Sequence, residues 1–394
     1  MIEENRIDTI FEEMKLWRHD FHKHPEIGYK EFRTSEIIAS RLKEFGCDEV
    51  HSGIGVTGIV AVIHGTEQAT SSDNAIMLRS DMDALPINEQ NTFSYRSESR
   101  GVMHACGHDG HMSMLLGAAR YLSENRHCFK GTVFFCFQPA EEGLAGALKM
   151  IDDGLFDRFD CRNVFGLHNW PGLEIGKVIT RKGEFMASAD VFEIKILSGG
   201  GHAARPEKTR DPMFSACQLV CEFSSIVARC VSPFSSALLS VPLIKSCADA
   251  ANVISSEVML SGTIRSFDSQ ARKTIISEMT RVCNAIEIMH EVKVELSFAD
   301  AYYPVVVNDA DLVDKLVPLM KGISGDDFDV LSAEKSMGSE DFAYMSQVRP
   351  SVFSLIGNGN SAGLHSDVYD FDDRALKTGV MYWVKLVKDL LPLS

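Results

Sequence analysis

The sequence predicts an α/β protein of two domains, in which a mixed-sheet α/β domain is interrupted by an inserted βαββαβ unit of ferredoxin-like order. Three observations predict it. The chain has 394 residues, too many for one ordinary hydrophobic core. Short apolar strand patterns alternate with helical patterns in residues 1–186 and again in 301–394, as in layered α/β domains whose strand ends carry a site. Between them, residues 187–300 follow a different order.

Along the chain, Met1 to His22 sets Ile7, Ile10, Phe11, Met14, Trp17 and Phe21 at helical spacing, and Ser35 to Phe45 aligns Ile37, Ile38, Leu42 and Phe45 on one helical face. Apolar strands are expected at Gly58–Ile63, Ala75–Leu78, Thr132–Phe137 and Val164–Leu167, with helices at His111–Leu122 and Ala145–Ile151. From Ala189 the pattern changes. Asp190–Leu197 reads as a strand, Pro212–Arg229 as a helix, Ala237–Ile244 and Glu257–Ile264 as strands, Ser269–Met289 as a helix and Val292–Phe298 as a strand. Beyond Ala301 a helix at Asp309–Met320, a strand at Val352–Ile356 and a helix at Asp373–Leu390 complete the first domain.

Composition removes several function classes. A net charge of -16 with no lysine or arginine cluster argues against a nucleic-acid partner. Hydrophobic content of 45% and charged content of 24% are globular values, without low-complexity tracts. The N-terminus has acids from Glu3 onward rather than the basic start of a signal peptide, and no apolar run could span a bilayer, so a cytoplasmic protein is expected. Ten cysteines without paired spacing fit reduced thiols.

The densest polar segment, Met103-His104-Ala105-Cys106-Gly107-His108-Asp109-Gly110-His111, precedes an apolar helix. Cysteine and histidine two apart, among glycines that allow a close turn, suit a borderline-soft cation; alone they could equally cap a helix. Gln138-Pro139-Ala140-Glu141-Glu142-Gly143 ends a buried strand, where site loops cluster. Two neighbouring carboxylates in a non-helical turn point apart, so one can grip a metal while the other faces the water it activates. Arg79-Ser80-Asp81-Met82-Asp83 follows another strand, and its acids could orient a ligating histidine, with an ion pair to Arg79 as the plainer reading. His168 and His365 lie at two further strand or loop ends. Cys106, His108, Glu142, His168 and His365 together could hold two cations and a shared water, roughly 3.5 to 4 Å apart in known two-metal sites. Scattered ligands with open positions indicate catalysis rather than structure.

These motifs resemble the M20 metallopeptidase family, in its amidohydrolase branch of hippurate hydrolases, N-acyl-amino-acid deacetylases and auxin-conjugate hydrolases. The similarity runs in order through His24-Pro25-Glu26, Arg79 to Pro86, Met103 to His111, Gln138 to Glu142, Gly199 to Pro206, Met337 to Phe342 and Leu364-His365. It implies a metal-dependent amidohydrolase with two Mn²⁺ or Zn²⁺ ions per subunit, held by the five residues above with the Cys106 thiolate as bridge. Glu141 would be the general base. The resemblance makes the insert a dimerisation or lid domain, so a homodimer or higher homo-oligomer is expected. His202 would stabilise the oxyanion in a neighbouring active site. Asn252 and Arg265 match substrate-binding segments, and Arg265 could clamp a carboxylate. In most of the family the first motif carries a ligating histidine, and this branch departs from that, which makes ligation by Asp81 or Asp83 doubtful. Two rival readings are a metal-independent amidase with Cys106 as nucleophile and His108 as base, and a metal- or small-molecule-binding relative without turnover.

Overall fold

The computed structural model describes residues 4–67 and 71–393; the first three residues of the expected N-terminal helix lie outside them. In chain order the first part contains α1 (Glu4–Lys23), α2 (Phe32–Glu44), β1 (Glu49–Ile54), β2 (Gly58–His64), β3 (Ala75–Asp81), α3 (His108–Glu124) and β4 (Thr132–Gln138). It continues with α4 (Glu141–Leu144), α5 (Gly146–Asp152), α6 (Leu155–Arg158), β5 (Asn163–Trp170), β6 (Val178–Ile179) and β7 (Gly183–Met186). The middle part contains β8 (Ser188–Leu197), β9 (Gly201–His202), α7 (Pro212–Cys230), β10 (Ala237–Ser246), β11 (Val253–Ile254), β12 (Glu257–Ser266), α8 (Ser269–His290) and β13 (Lys293–Phe298). The last part contains β14 (Val306–Asn308), α9 (Ala310–Ser324), α10 (Phe342–Val348), β15 (Ser351–Gly357) and α11 (Ala375–Leu390).

Two compact units result. The first spans Met1–Phe185, Val306–Glu334 and Asp341–Ser394, and the second spans Met186–Val305 with Lys335–Glu340. The short return of 335–340 to the second unit follows from backbone bonds of Ala187 N–H to the carbonyls of Ser336 and Gly338, a pairing that no local pattern announces.

The first unit is built on a seven-stranded mixed sheet in the order β1-β2-β4-β3-β5-β15-β6. Its centre, β4-β3-β5-β15, is parallel, and β1, β2 and β6 add antiparallel edges. Every residue of β3, β4 and β15 is buried, which is why these strands read as continuous apolar runs rather than alternating ones. One hydrophobic core joins sheet residues such as Ile76, Leu78, Phe135 and Phe165 to Met14 and Phe21 of α1, Leu115 and Leu122 of α3, and Val380 and Trp383 of α11.

The second unit has strand order β10-β12-β8-β13, all antiparallel, the second, third, first and fourth strands of a βαββαβ chain. Strict alternation of burial along β12 shows a sheet covered on one face, and the cover is α7 and α8 through Leu219, Phe223, Ile275 and Met279. Both helices start on aspartates whose carboxylates accept backbone N–H bonds: Asp211 from Met213, and Asp268 from Gln270 and Ala271. Pro242 sits on the edge strand β10 within its register shift, where a missing N–H costs no ladder bond.

Candidate metal centre

The central parallel strands release their chains at the same end of the sheet, and the candidate residues follow from there. β3 ends on Asp81 and leads to Asp83, β4 leads to Glu141 and Glu142, and β5 carries His168 near its end. Helix α3 begins at His108, three residues before the expected start, because Gly107 supplies a left-handed N-cap at φ 87°. Only glycine fits there: a Cβ would lie 2.2 Å from Asn169 Oδ1 and 2.6 Å from the Tyr369 hydroxyl. This turn aims Cys106 and His108 together.

His108 Nδ1–H donates to the Asp83 carbonyl at 2.8 Å, which leaves Nε2 buried without a hydrogen-bond partner among the described residues. Glu142 Oε1 is another such buried atom. Cys106, His108 and Glu142 each bring a ligand atom within 4.8 Å of the others. His168 Nδ1–H donates to the Asn169 carbonyl at 2.7 Å, so its Nε2 faces the Cys106 sulfur, 3.4 Å away. His365 Nε2 lies 3.4 Å from Glu142 Oε1, and its backbone N–H binds the Ala105 carbonyl at 2.8 Å. The five expected ligands thus form one chain of near neighbours. His108 Nε2 and Glu142 Oε1, buried without a hydrogen bond among the described residues, stand beside the Cys106 sulfur and His168 Nε2, and this set of nitrogen, oxygen and sulfur atoms fits a borderline divalent cation.

The carboxylate turn is held by backbone bonds to buried acids. Asp83 accepts from the N–H groups of Glu141 and Glu142, each at 2.9 Å, Glu31 accepts from Ala140 N–H at 2.9 Å, and Asp341 accepts from Ala147 N–H at 2.9 Å. Ala140 and Ala145 bracket the turn in left-handed conformations, φ 53° and 54°. Asp83 therefore fixes both the carboxylate pair and His108, with both its side-chain oxygens already engaged. Asp81 is paired as well: its Oδ1 meets His111 Nδ1 at 2.7 Å and its Oδ2 meets Arg79 at 2.9 Å. Arg79, itself buried, also binds Gln138 at 2.7 Å and Asp341 at 3.0 Å.

The field of this cluster is negative where His108 sits. Burial pulls the His108 imidazole down, but the charges of Asp81, Asp83 and Glu142 outweigh it and push it up to about 10. A site that draws a proton so strongly favours a bound cation in its place. Burial, reinforced by His111, holds His168 well below the ordinary histidine range, in the neutral form that ligates. Burial alone would raise Asp81, yet His108, His111 and Arg79 hold it well below the usual carboxylate range.

Asp81, His108, His111 and His168 form a second close group. Both nitrogens of His111 are already engaged, Nδ1 with Asp81 and Nε2 with Asn169 at 2.9 Å. Sequence reasoning gave His111, Glu31, Asn169 and Tyr369 no role. Their burial is the only signal that could have found them, and no local pattern carries it. In the second unit, His202 and Asn252 come together: His202 pairs with Val253 across the β9–β11 ribbon, and Ala203 N–H donates to the Asn252 carbonyl at 3.0 Å. His202 is exposed there. Arg265 lies apart from them on β12 and donates to Ser339 Oγ at 2.6 Å.

The sequence profile described as peptidase family M20/M25/M40 matches residues 77–389. The chain is 37% identical over 374 residues to the hippurate hydrolase of Campylobacter jejuni, covering 95% of each chain. It is 34% identical to an N-acetylcysteine deacetylase of Bacillus subtilis, covering 94% of each. Among solved structures it matches the Bacillus subtilis YXEP protein, described as a dinuclear metal binding peptidase from the M20 family, with a TM-score of 0.79, 30% identity and coverage of 98% and 99%.

Proposed function

Because the chain belongs to peptidase family M20/M25/M40 and is a metal-dependent amidohydrolase, we propose that it cleaves the amide bond of a small N-acylated amino acid, releasing a carboxylate and an amine. The hippurate hydrolase and N-acetylcysteine deacetylase relatives support that substrate class. The observation that carries the reading is the convergence of ligand atoms of Cys106, His108 and Glu142, with His108 Nε2 and Glu142 Oε1 buried and lacking a hydrogen bond among the described residues, beside Glu141 on the same fixed turn. Cys106, His108, Glu142, His168 and His365 would hold two divalent ions, Mn²⁺ or Zn²⁺. Bound there, such ions supply Lewis acidity and lower the pKa of a shared water.

Glu141 takes a proton from the attacking water as its oxygen bonds to the acyl carbon, and the carbonyl electron pair moves onto oxygen. His202 of a second copy donates to that oxyanion. When the C–N bond breaks, Glu141 returns its proton to the departing nitrogen. Arg265 and Asn252 serve the substrate's carboxylate end, and a homodimer is the working assembly.

The test is hydrolysis of hippurate, N-acetyl amino acids and N-acetyldiaminopimelate by the Mn²⁺-loaded protein. A Glu141→Gln variant is expected to keep its metal and lose roughly two to four orders of magnitude in turnover. Turnover that survives complete chelation would replace this reading by a thiol amidase with Cys106 as nucleophile.

A further inference from the structure

We propose that His111 is a positioning residue that sets the metal-ligating nitrogen of His168 through the backbone of Asn169. The inference rests on the ligand set above and extends it by one residue that touches neither ion nor substrate.

With a neutral His111 ring, the hydrogen-bond roles along the path follow step by step. The Asp81 carboxylate only accepts, so at 2.7 Å it takes the proton of His111 Nδ1. In a neutral ring the other nitrogen then has a lone pair, and the backbone N–H of Asn169 points at it from 2.9 Å. The same Asn169 residue offers its carbonyl to His168 Nδ1–H at 2.7 Å. A proton on His168 Nδ1 leaves the lone pair on Nε2, the atom 3.4 Å from Cys106 Sγ. Carboxylate, His111, a peptide unit and His168 therefore form one directed chain whose last member is the ligand.

The surroundings leave little freedom. Asn169 is held by side chain and backbone alike: its amide sits 2.9 Å from His111 Nε2 through Oδ1 and meets the Tyr369 hydroxyl through Nδ2, and a neutral His111 ring calls for the amide turned over, with Nδ2 toward His111 and Oδ1 accepting from the Tyr369 hydroxyl. Asp81 cannot swing away, since Arg79 holds its second oxygen at 2.9 Å. His111 is 2% exposed, and its ring packs against His168 at 4.5 Å between centroids. Partners that orient metal-bound histidines usually contribute a factor of ten to a hundred in metal affinity. In this chain the orienting carbonyl belongs to the ligand's own neighbour, and His111 is what orients that neighbour.

The variants are chosen by which ring nitrogen they imitate. His111→Gln offers an oxygen near the Nε2 position, able to accept from Asn169 N–H; His111→Asn reaches only toward Asp81; His111→Ala reaches neither. Competition of Mn²⁺ and Co²⁺ against a chromophoric chelator, with the Co²⁺ spectrum recorded alongside, should show one of two metal equivalents weakened roughly 10- to 100-fold in His111→Ala and His111→Asn. His111→Gln should bind both nearly as wild type does, and turnover of the weakened variants should recover at saturating metal. Wild-type affinity and spectrum in His111→Ala would overturn the proposal, and so would a His111→Gln variant as weak as His111→Asn, since the ring would then matter for packing alone. A wild-type protein that binds no second equivalent would overturn the two-ion reading instead. Should His111→Ala fail to fold, the comparison of Gln with Asn decides.

Discussion

His22 is an imidazole held between two carboxylates, with Nδ1 2.9 Å from Asp109 and Nε2 3.1 Å from Glu89. Burial alone would lower it, but the bonds to Asp109 and Glu89 outweigh burial and raise it to about 9. A group raised from an unfolded value near ~6.5 contributes stability that is fully present below that pH and lost as pH rises through the folded value. The gap corresponds to roughly 3 kcal/mol. Urea unfolding of the wild type should therefore show stability falling between about pH 6.5 and pH 9.5, and His22→Gln, weaker at pH 6, should show a clearly smaller fall, the remainder in metal-free protein coming from His108, which is raised in the same sense. An equal slope in both proteins would sink the assignment. At this scale the candidate ligand residues were legible in the sequence, because cysteine, histidine and glutamate at strand ends are conspicuous in a line of text. It did not show His22, Glu31 or His111, whose partners Asp109, Ala140 and Asp81 lie 87, 109 and 30 residues away. Burial and pairing at such separations are properties of the packed chain.

Helices α1, α3 and α11 approach closely because glycines stand where their axes meet. A Cβ on Gly117 of α3 would fall 2.2 Å from Met14 Sδ of α1 and 2.8 Å from Val380 Cγ2 of α11. Two effects oppose each other in Gly117→Ala. Helix propensity favours alanine by about 1 kcal/mol, whereas overpacking costs typically 1 to 3 kcal/mol. With contacts this short on two sides, overpacking should win, and the variant should be about 1 kcal/mol less stable. In a Met14→Ala background the cost should shrink, because the sulfur is gone and only the Val380 contact remains; a double-mutant cycle by denaturant unfolding measures this, and strict additivity would show that no such Met14 contact exists. The apolar stripes that identify these helices were plain in the sequence, as were the six elements of the insert. Strand β1 escaped notice because its burial runs mostly exposed, with only Ile54 buried, and an edge strand of this kind lacks an apolar period. The start of α3 was missed by three residues because the glycine before it acts through a left-handed cap rather than a polar side chain.

The molecule divides its work between two cores. Phe192, Ile194, Leu219, Phe223, Leu260, Ile275 and Met279 pack together in the second unit without residues of the first. All five expected ligands, in contrast, belong to the first unit. A ligand that binds only the folded form stabilises the unit it binds, by about 4 kcal/mol when present at a thousand times its dissociation constant. Scanning calorimetry of the full-length, metal-loaded protein with and without excess EDTA should therefore separate the units. For a unit of this size the transition of the first should fall by on the order of 10 °C on chelation, while the transition of the ferredoxin-like unit should stay in place. Restoring Mn²⁺ or Zn²⁺ should move the first transition back. If instead a single transition shifts as a whole, the two units unfold as one cooperative body; if neither moves, the five residues do not hold metal in the folded protein.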